Sequence, residues 1–263
     1  MALNHTHKTY PNEVVAREIE DQYNSHLNLM QFCTLDNSLA GVAGDKKKIR
    51  VYSATNGTEK LAMGEGNTQN IEVTYAEKDY TILLAQNRFP YYDEELMRDP
   101  MVVDTGVRHM TTDMFNHTQA DIYAEFMKAP QIDVTAFDFA AFVDAQASLN
   151  REHGESEECF AFVSREDMAG IRKALKDELK YVEAYVRNGY VGTVAGVNLY
   201  VKKDATPGTI VGGTKKAVTY FNKRGVEVEQ ERDANIRLNE IYSRKYYVAA
   251  MTDATKCFKI VKA

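Results

Sequence analysis

A chain of 263 residues suits one large domain or two small ones, and 44% hydrophobic with 27% charged content suits a soluble globular protein with a sizeable core. A formal net charge of −6 argues against general nucleic-acid coating, which rests on Lys and Arg neutralising phosphates. The sequence has neither an apolar run of about 18 residues nor, in MALNHTHKTYPNEVV, a basic segment before an apolar core, so no spanning helix and no secretory signal are read.

Residues 1–12 are polar and aperiodic and read as an arm. From Glu13 a short helical pattern places Val14, Ile19 and Tyr23 among charges, and LNLMQFC follows at 27–33. Gly41 and Gly44 break the pattern within 36–45. KKIRVYSA (47–54) reads as a strand and IEVTYAEKDYTILL (71–84) as its return, with Ile71, Val73 and Tyr75 alternating with polar neighbours. The intervening TNGTEKLAMGEGNTQN (55–70) has little apolar content, so this is a projecting hairpin whose tip lies far from any core.

Asp99 as cap and Pro100 at the first helical position open a helix predicted over 100–128. Val103, Val107, Met110 and Met114 form its apolar stripe, which drifts on to Ile122 and Phe126. Such a helix would be about 43 Å long, a spine in a chain of this size. Pro130 ends it. Beyond it, 133–150 reads as a helix, CFAFVS (159–164) as a buried strand, and 164–179 as a helix opened by Ser164 and Asp167 in a capping-box-like pair. VNLYVKK is a short strand, and 226–251 and 255–262 are strand-rich. Both element types without a regular βαβ repeat give an α+β class.

The chemical motifs dissolve one by one. In NGYVGTVAGVNLYVKKD, Gly189, Gly192 and Gly196 are spaced GxxGxxxG and precede a strand, whereas a dinucleotide fingerprint needs GxGxxG before a helix. PGTIVGGTKKA lacks the GK followed by Ser or Thr of a phosphate loop, so its glycines read as turns and close backbone approaches. His109, Asp113, His117 and Asp121 recur every four residues on one helical face; they could hold a transition metal, and an exposed polar stripe explains them equally well. Cys33, Cys159 and Cys257 are far apart and outside any CxxC pair, and read as reduced thiols of a cytosolic protein. Asp93, Glu94 and Glu95, like Glu155, Glu157 and Glu158, read as solvated faces. No catalytic constellation survives, and no cofactor is expected.

The order of elements carries more than any motif. The hairpin from Lys46 to Leu84, the helix after Pro100, and the pair NGYVGTVAGVNLYVKKD with VEVEQERDANIRLNEIYSRKYYVAAM together resemble the major capsid protein of tailed bacteriophages, the Hong Kong 97-like fold, across essentially the whole chain. The resemblance implies an N-terminal arm at 1–45 and an extended hairpin loop at 46–84. It further implies a peripheral domain with its spine helix at 85–130, an axial domain at 131–225, and return strands of the peripheral domain at 226–263. It implies a structural protein, not an enzyme, whose pentamers and hexamers close into an icosahedral shell around double-stranded DNA held without sequence-specific binding. Assembly in the host bacterial cytoplasm with a portal, and no membrane, completes that picture. The initiating Met favours a separate scaffolding protein over a cleaved leader.

The expected assembly contacts are Asn56, Gly57, Glu59, Lys60 and Glu65 at the hairpin tip, and Glu231 and Arg232 in the return segment. Some relatives cross-link a hairpin lysine to an Asn of a neighbour. Lys60 sits near the corresponding loop, though one lysine in a polar tip is ordinarily just solvated. Two alternatives stay open on sequence: an encapsulin-like bacterial nanocompartment shell, and a metal-dependent enzyme using His109, Asp113 and His117.

Overall fold

A computed structural model describes residues 27–41, 44, 46–149, 157–175 and 192–262. The expected arm and its helix from Glu13, Gly189, and the end of the helix predicted to reach 179 lie outside the described residues. Among those described, the strands form three sheets. One has four strands in the order β1 (Thr34–Asp36), β10 (Val218–Asp233), β11 (Leu238–Met251) and β4 (Leu83–Tyr92). A second has six: β5 (Gln131–Val134), β12 (Cys257–Lys262), β9 (Thr209–Gly213), β6 (Cys159–Val163), β8 (Val197–Val201) and β7 (Thr193–Val194). The third is the ribbon of β2 (Lys46–Ala54) and β3 (Val73–Thr81). The helices are α1 (Asp93–Arg98), α2 (Met101–Phe126), α3 (Phe139–Ser148) and α4 (Arg165–Ala174).

The α2 helix starts where expected, because Asp99 Oδ1 accepts from the Met101 N–H at 2.9 Å and Pro100 cannot extend the preceding turn. It ends at Phe126, two residues before the expected stop, in tight turns from Lys128 to the Glu125 carbonyl and Ala129 to that of Phe126. Its buried face carries Met110, Met114, Thr118, Ile122 and Phe126, but Val107 is 40% exposed. The stripe runs instead through Gly106, where a Cβ would lie 2.3 Å from the Phe89 ring. The helix thus approaches β4 at a residue with no side chain, and the hydrophobic period alone does not reveal that contact.

The six-stranded sheet is covered on both faces, which is why CFAFV is an unbroken apolar run. Phe160 and Phe162 point to a core shared with Leu29, Phe32, Ile122, Phe126, Tyr220 and Tyr247. Cys159, Ala161 and Val163 point the other way, to Phe142 and Ala145 of α3 and Met168 and Ile171 of α4. The Phe126 ring meets Phe160 and Phe162 edge-on, each at 5.6 Å, locking the helix end to the sheet.

Two expectations about the second half need correcting. Residues 131–134 are a strand, paired parallel to β12, and the helix begins only at Phe139, where Asp138 accepts from the Ala141 N–H at 3.0 Å. Alternation of Ile132 and Val134 outcompetes helix formation there. The boundary expected at 225/226 falls inside β10, and the terminal strand β12 lies between β5 and β9, in the sheet built mostly from 131–213. The α4 start matches its capping pair, Ser164 accepting from the Asp167 N–H at 3.0 Å. In NGYVGTVAGVNLYVKKD, Gly196 serves a turn: Ala195 and Gly196, both at positive φ (48° and 77°), form the two-residue connection joining β7 to β8.

Candidate assembly interface

The ribbon leaves the body at Ile82, a buried residue that separates β3 from β4, so the return expected over 71–84 divides into two strands. Its base is held on both sides. The Tyr80 ring stacks on Phe221 at 5.4 Å, and its hydroxyl donates to the Met251 carbonyl at 3.4 Å. Lys78 Nζ donates to the Thr252 carbonyl at 3.4 Å, and Lys47 reaches Asp36 at 3.7 Å. Burial, and then the Glu125 charge, push the Tyr80 phenol above its ordinary range.

Along one face the register pairs Lys48 with Asp79 near the base, and Tyr52 with Tyr75 and Ala54 with Val73 nearer the tip. Tyr52, Val73 and Tyr75 are each about 60% exposed, and Ile71 beyond them is 62% exposed. Burying one such side chain is worth about 1.5–3 kcal/mol. An isolated two-stranded ribbon is marginal in water, so this apolar strip calls for cover.

The tip holds its own shape. Glu59 accepts from the Thr68 N–H at 3.0 Å and from the Thr68 hydroxyl at 2.9 Å. Glu65 accepts from the Ala62 N–H at 3.2 Å, and Gly57 carbonyl accepts from Asn67 Nδ2 at 3.1 Å. Asn56 and Lys60 are exposed, whereas Gly57 is buried against Ile71, whose Cγ1 would lie 2.8 Å from an added Cβ. The structure therefore brings Asn56, Gly57, Glu59, Lys60 and Glu65 into one ordered tip.

Glu231 and Arg232 are neighbours in β10 and so face opposite sides of the sheet. Arg232 lies 2.8 Å from Asp93, which also accepts from Asn239 Nδ2 at 2.6 Å, and Arg237 donates to Glu94 at 2.6 Å. The Asn239 hydrogen bond, then Arg232, hold the Asp93 carboxyl below its usual range. The acidic run at 93–95 is thus an anchor for the β10–β11 turn and not merely a solvated face. Glu231 sits opposite Glu240 on the outer face, where Glu240 pairs with Arg88 and accepts from the Tyr242 hydroxyl. A cation flanked by acids on a strand pair was legible; its partner at Asp93 was not.

The remaining candidates have structural partners. His117 lies 3.5 Å from Asp121, and Asp121 accepts from the Tyr247 hydroxyl at 2.6 Å. Among the described residues no group of three or more His, Cys, Asp and Glu is placed to hold a metal ion. Cys33, Cys159 and Cys257 are buried thiols outside any disulfide, and burial pushes the Cys33 thiol up to about 12 and that of Cys257 to about 11. Gly212 lets β9 approach β6: its added Cβ would meet the Phe160 carbonyl oxygen at 2.1 Å. Gln119 gave no sequence signal, yet its buried amide accepts from the Leu29 N–H at 2.5 Å and donates to Asn28 at 3.2 Å, tying the segment before β1 onto α2. No described helix is long and apolar enough to cross a membrane.

No family model matches the chain. The fold is that of capsid proteins: it matches the capsid of Cyanophage P-SCSP1u with a TM-score of 0.73 at 13% identity, covering 97% of this chain and 92% of that one. It also matches the mature capsid of bacteriophage PhiM1, with a TM-score of 0.71 at 11% identity over 99% and 92% of the two chains. In sequence, the chain is similar to the major capsid protein of Staphylococcus phage phiMR11, 24% identical over 261 residues that cover 95% of this chain and 92% of the relative. The resemblance to phage major capsid proteins drawn from the order of elements therefore holds end to end.

Proposed function

We infer that this chain is the major capsid protein of a tailed phage, a structural subunit that self-assembles into the shell of the virion. The observation that carries this reading is the match, over 95% or more of the chain, in both sequence and fold to phage capsid chains. Those neighbours favour a phage shell over a nanocompartment shell.

In this reading β2–β3 is the extended loop and α2 the spine. The four-stranded sheet is the core of the peripheral domain, and the six-stranded sheet with α3 and α4 that of the axial domain, to which β12 belongs. Subunits form pentamers and hexamers in the host cytoplasm, with a portal and a separate scaffolding protein, around DNA that an acidic subunit does not grip. The exposed strip of Tyr52, Ile71, Val73 and Tyr75 supports contacts between copies through the hairpin, with Asn56, Glu59, Lys60 and Glu65 at its end. Glu231 lies on the exposed charged face of β10, while Arg232 ties the β10–β11 turn to the start of α1 through Asp93.

Negative-stain microscopy of the expressed protein tests this. Uniform shells, tubes or sheets are expected, and a strictly monomeric species at high concentration would refute it. Deletion of residues 56–66 is expected to leave a folded subunit that no longer forms shells; normal shells from that variant would remove the hairpin tip from the assembly contacts.

A further inference from the structure

The chain contains two Asn–Gly pairs, Asn56–Gly57 at the hairpin tip and Asn188–Gly189 outside the described residues. Glycine offers no Cβ to keep its main-chain nitrogen away from the preceding side-chain amide. At the tip one reacting group is exposed and the other, though buried, is not tied up in a hydrogen bond. Asn56 is exposed, and among the described residues no hydrogen bond holds the Gly57 N–H, although the Gly57 carbonyl is held by Asn67. Main-chain pairing with the returning segment ends one residue earlier, where the Thr55 N–H donates to the Glu72 carbonyl at 3.0 Å.

We propose that Asn56 is a self-modification site of the unassembled subunit, converting through a cyclic imide to aspartate and isoaspartate, and that the isoaspartate product disables the hairpin tip. The Gly57 nitrogen attacks Asn56 Cγ and a new N–Cγ bond forms. The Cγ–Nδ2 bond breaks, and Nδ2 leaves as ammonia with the proton from Gly57. Water then adds to one of the two imide carbonyls and cleaves its bond to nitrogen. Opening at Cα's carbonyl yields isoaspartate, with the main chain lengthened by one methylene; opening at Cγ yields aspartate. Water is the only co-reactant and no electrons are transferred. A main chain lengthened at residue 56 must displace Gly57, which packs so closely that a Cβ on it would lie 2.8 Å from Ile71 Cγ1 and 3.0 Å from the Ile71 nitrogen. Either product also adds a negative charge to a tip that already carries Glu59 and Glu65.

The second half of the proposal rests on the capsid reading; the first does not. The full-length subunit is kept unassembled at mildly alkaline pH, sampled over days, and digested for peptide mass mapping with isoaspartate detection. Chain held in denaturant gives the intrinsic rate, and Asn188 reports in the same digest. Conversion of Asn56 in the folded subunit at no less than a tenth of its denatured rate is expected; an unchanged Asn56 while the denatured chain converts would overturn the site. Aged wild type is expected to lose shell yield in proportion to the converted fraction, while wild type stored equally long at mildly acidic pH, where the imide forms slowly, keeps its yield. Equal losses at the two storage pH values would overturn the effect on the tip. Fresh wild type that stays strictly monomeric at high concentration would defeat the capsid reading and leave the mass result standing.

Discussion

Gly106 is where α2 comes closest to the four-stranded sheet, and it permits a prediction whose sign depends on a neighbour. Replacing glycine by alanine in a helix interior ordinarily gains about 1 kcal/mol. Here the new methyl would lie 2.3 Å from Phe89 Cζ and 2.6 Å from both Cε atoms. The ring cannot simply swing away, because it stacks on Tyr91 at 5.8 Å and packs against Met110 and Ile241. Overpacking of this kind costs about 1–3 kcal/mol, so Gly106→Ala is expected to destabilise by roughly 1 kcal/mol net. Phe89→Ala alone, at a half-buried site, is expected to cost about 2–3 kcal/mol, below the range for a fully buried ring. In that background the clash disappears, and Gly106→Ala should stabilise by about 1 kcal/mol. The coupling between the two changes is therefore about 1–3 kcal/mol, as for residues in direct contact. The assay is urea unfolding of the unassembled subunit followed by far-UV circular dichroism, since the chain has no Trp to report by fluorescence. A Gly106→Ala effect of the same sign and size in both backgrounds would refute the argument, and so would any rise in stability in the wild-type background.

Other outcomes follow from the same kind of reasoning. Gly212→Ala should cost more than about 3 kcal/mol, because its methyl meets the Phe160 carbonyl oxygen at 2.1 Å and the Ala161 Cα at 2.8 Å, and only separation of two strands relieves that. Gly208→Ala, at φ +76° in open space, should cost only the roughly 1–2 kcal/mol of a left-handed residue; reversal of that ranking in thermal unfolding would sink the close-approach argument. Gln119→Leu strips a partner from the buried Leu29 N–H and is expected to cost about 1–3 kcal/mol, with amide exchange at Leu29 accelerated; unchanged exchange would show that the segment is held without it. The thiols of Cys33 and Cys257 should resist alkylation until the subunit unfolds. Their folded values, raised to about 12 and about 11, also mean that stability is full below the unfolded thiol value of about 8.5 and falls as pH rises from there through the folded values. Stability rising through that alkaline range in wild type relative to a variant with both cysteines changed to Ala would contradict it.

What could be read from the sequence was whatever a local period or cap decides. CFAFV announced a strand buried on both faces, Ser164 and Asp167 announced a helix start, and Asp99 with Pro100 fixed where α2 begins. What could not be read depends on registers set far away. Val107 fits the helical stripe as well as Gly106 does, and only the arrival of Phe89 decides between them. Residues 131–134 become a strand because β12, more than a hundred positions later, offers them an edge. Arg232 finds Asp93 through the pairing of β10, β11 and β4, and no spacing rule connects the two. The candidate interface divides along the same line. Its polar tip and alternating apolar arm were legible as a projecting hairpin, whereas the hydrogen bonds that order the tip were not.

That hairpin also shows why the isolated subunit is an incomplete object. At its base, Tyr80, Lys78 and Lys47 are satisfied by the body through stacking, carbonyl and carboxylate contacts. Three to five rungs beyond Lys78, Tyr52, Val73 and Tyr75 are each about 60% exposed on one face, and Ile71 continues the strip. Were the exposed part of all four covered, the gross gain would be on the order of 4–7 kcal/mol per subunit, before the costs of association. No rearrangement within the chain is needed to reach it: the base stays clamped, the tip is already ordered by Glu59 and Asn67, and the strip points to solvent. On the reading proposed above, another copy of the same protein would provide that cover, because a closed symmetric shell would supply every hairpin with the same neighbour.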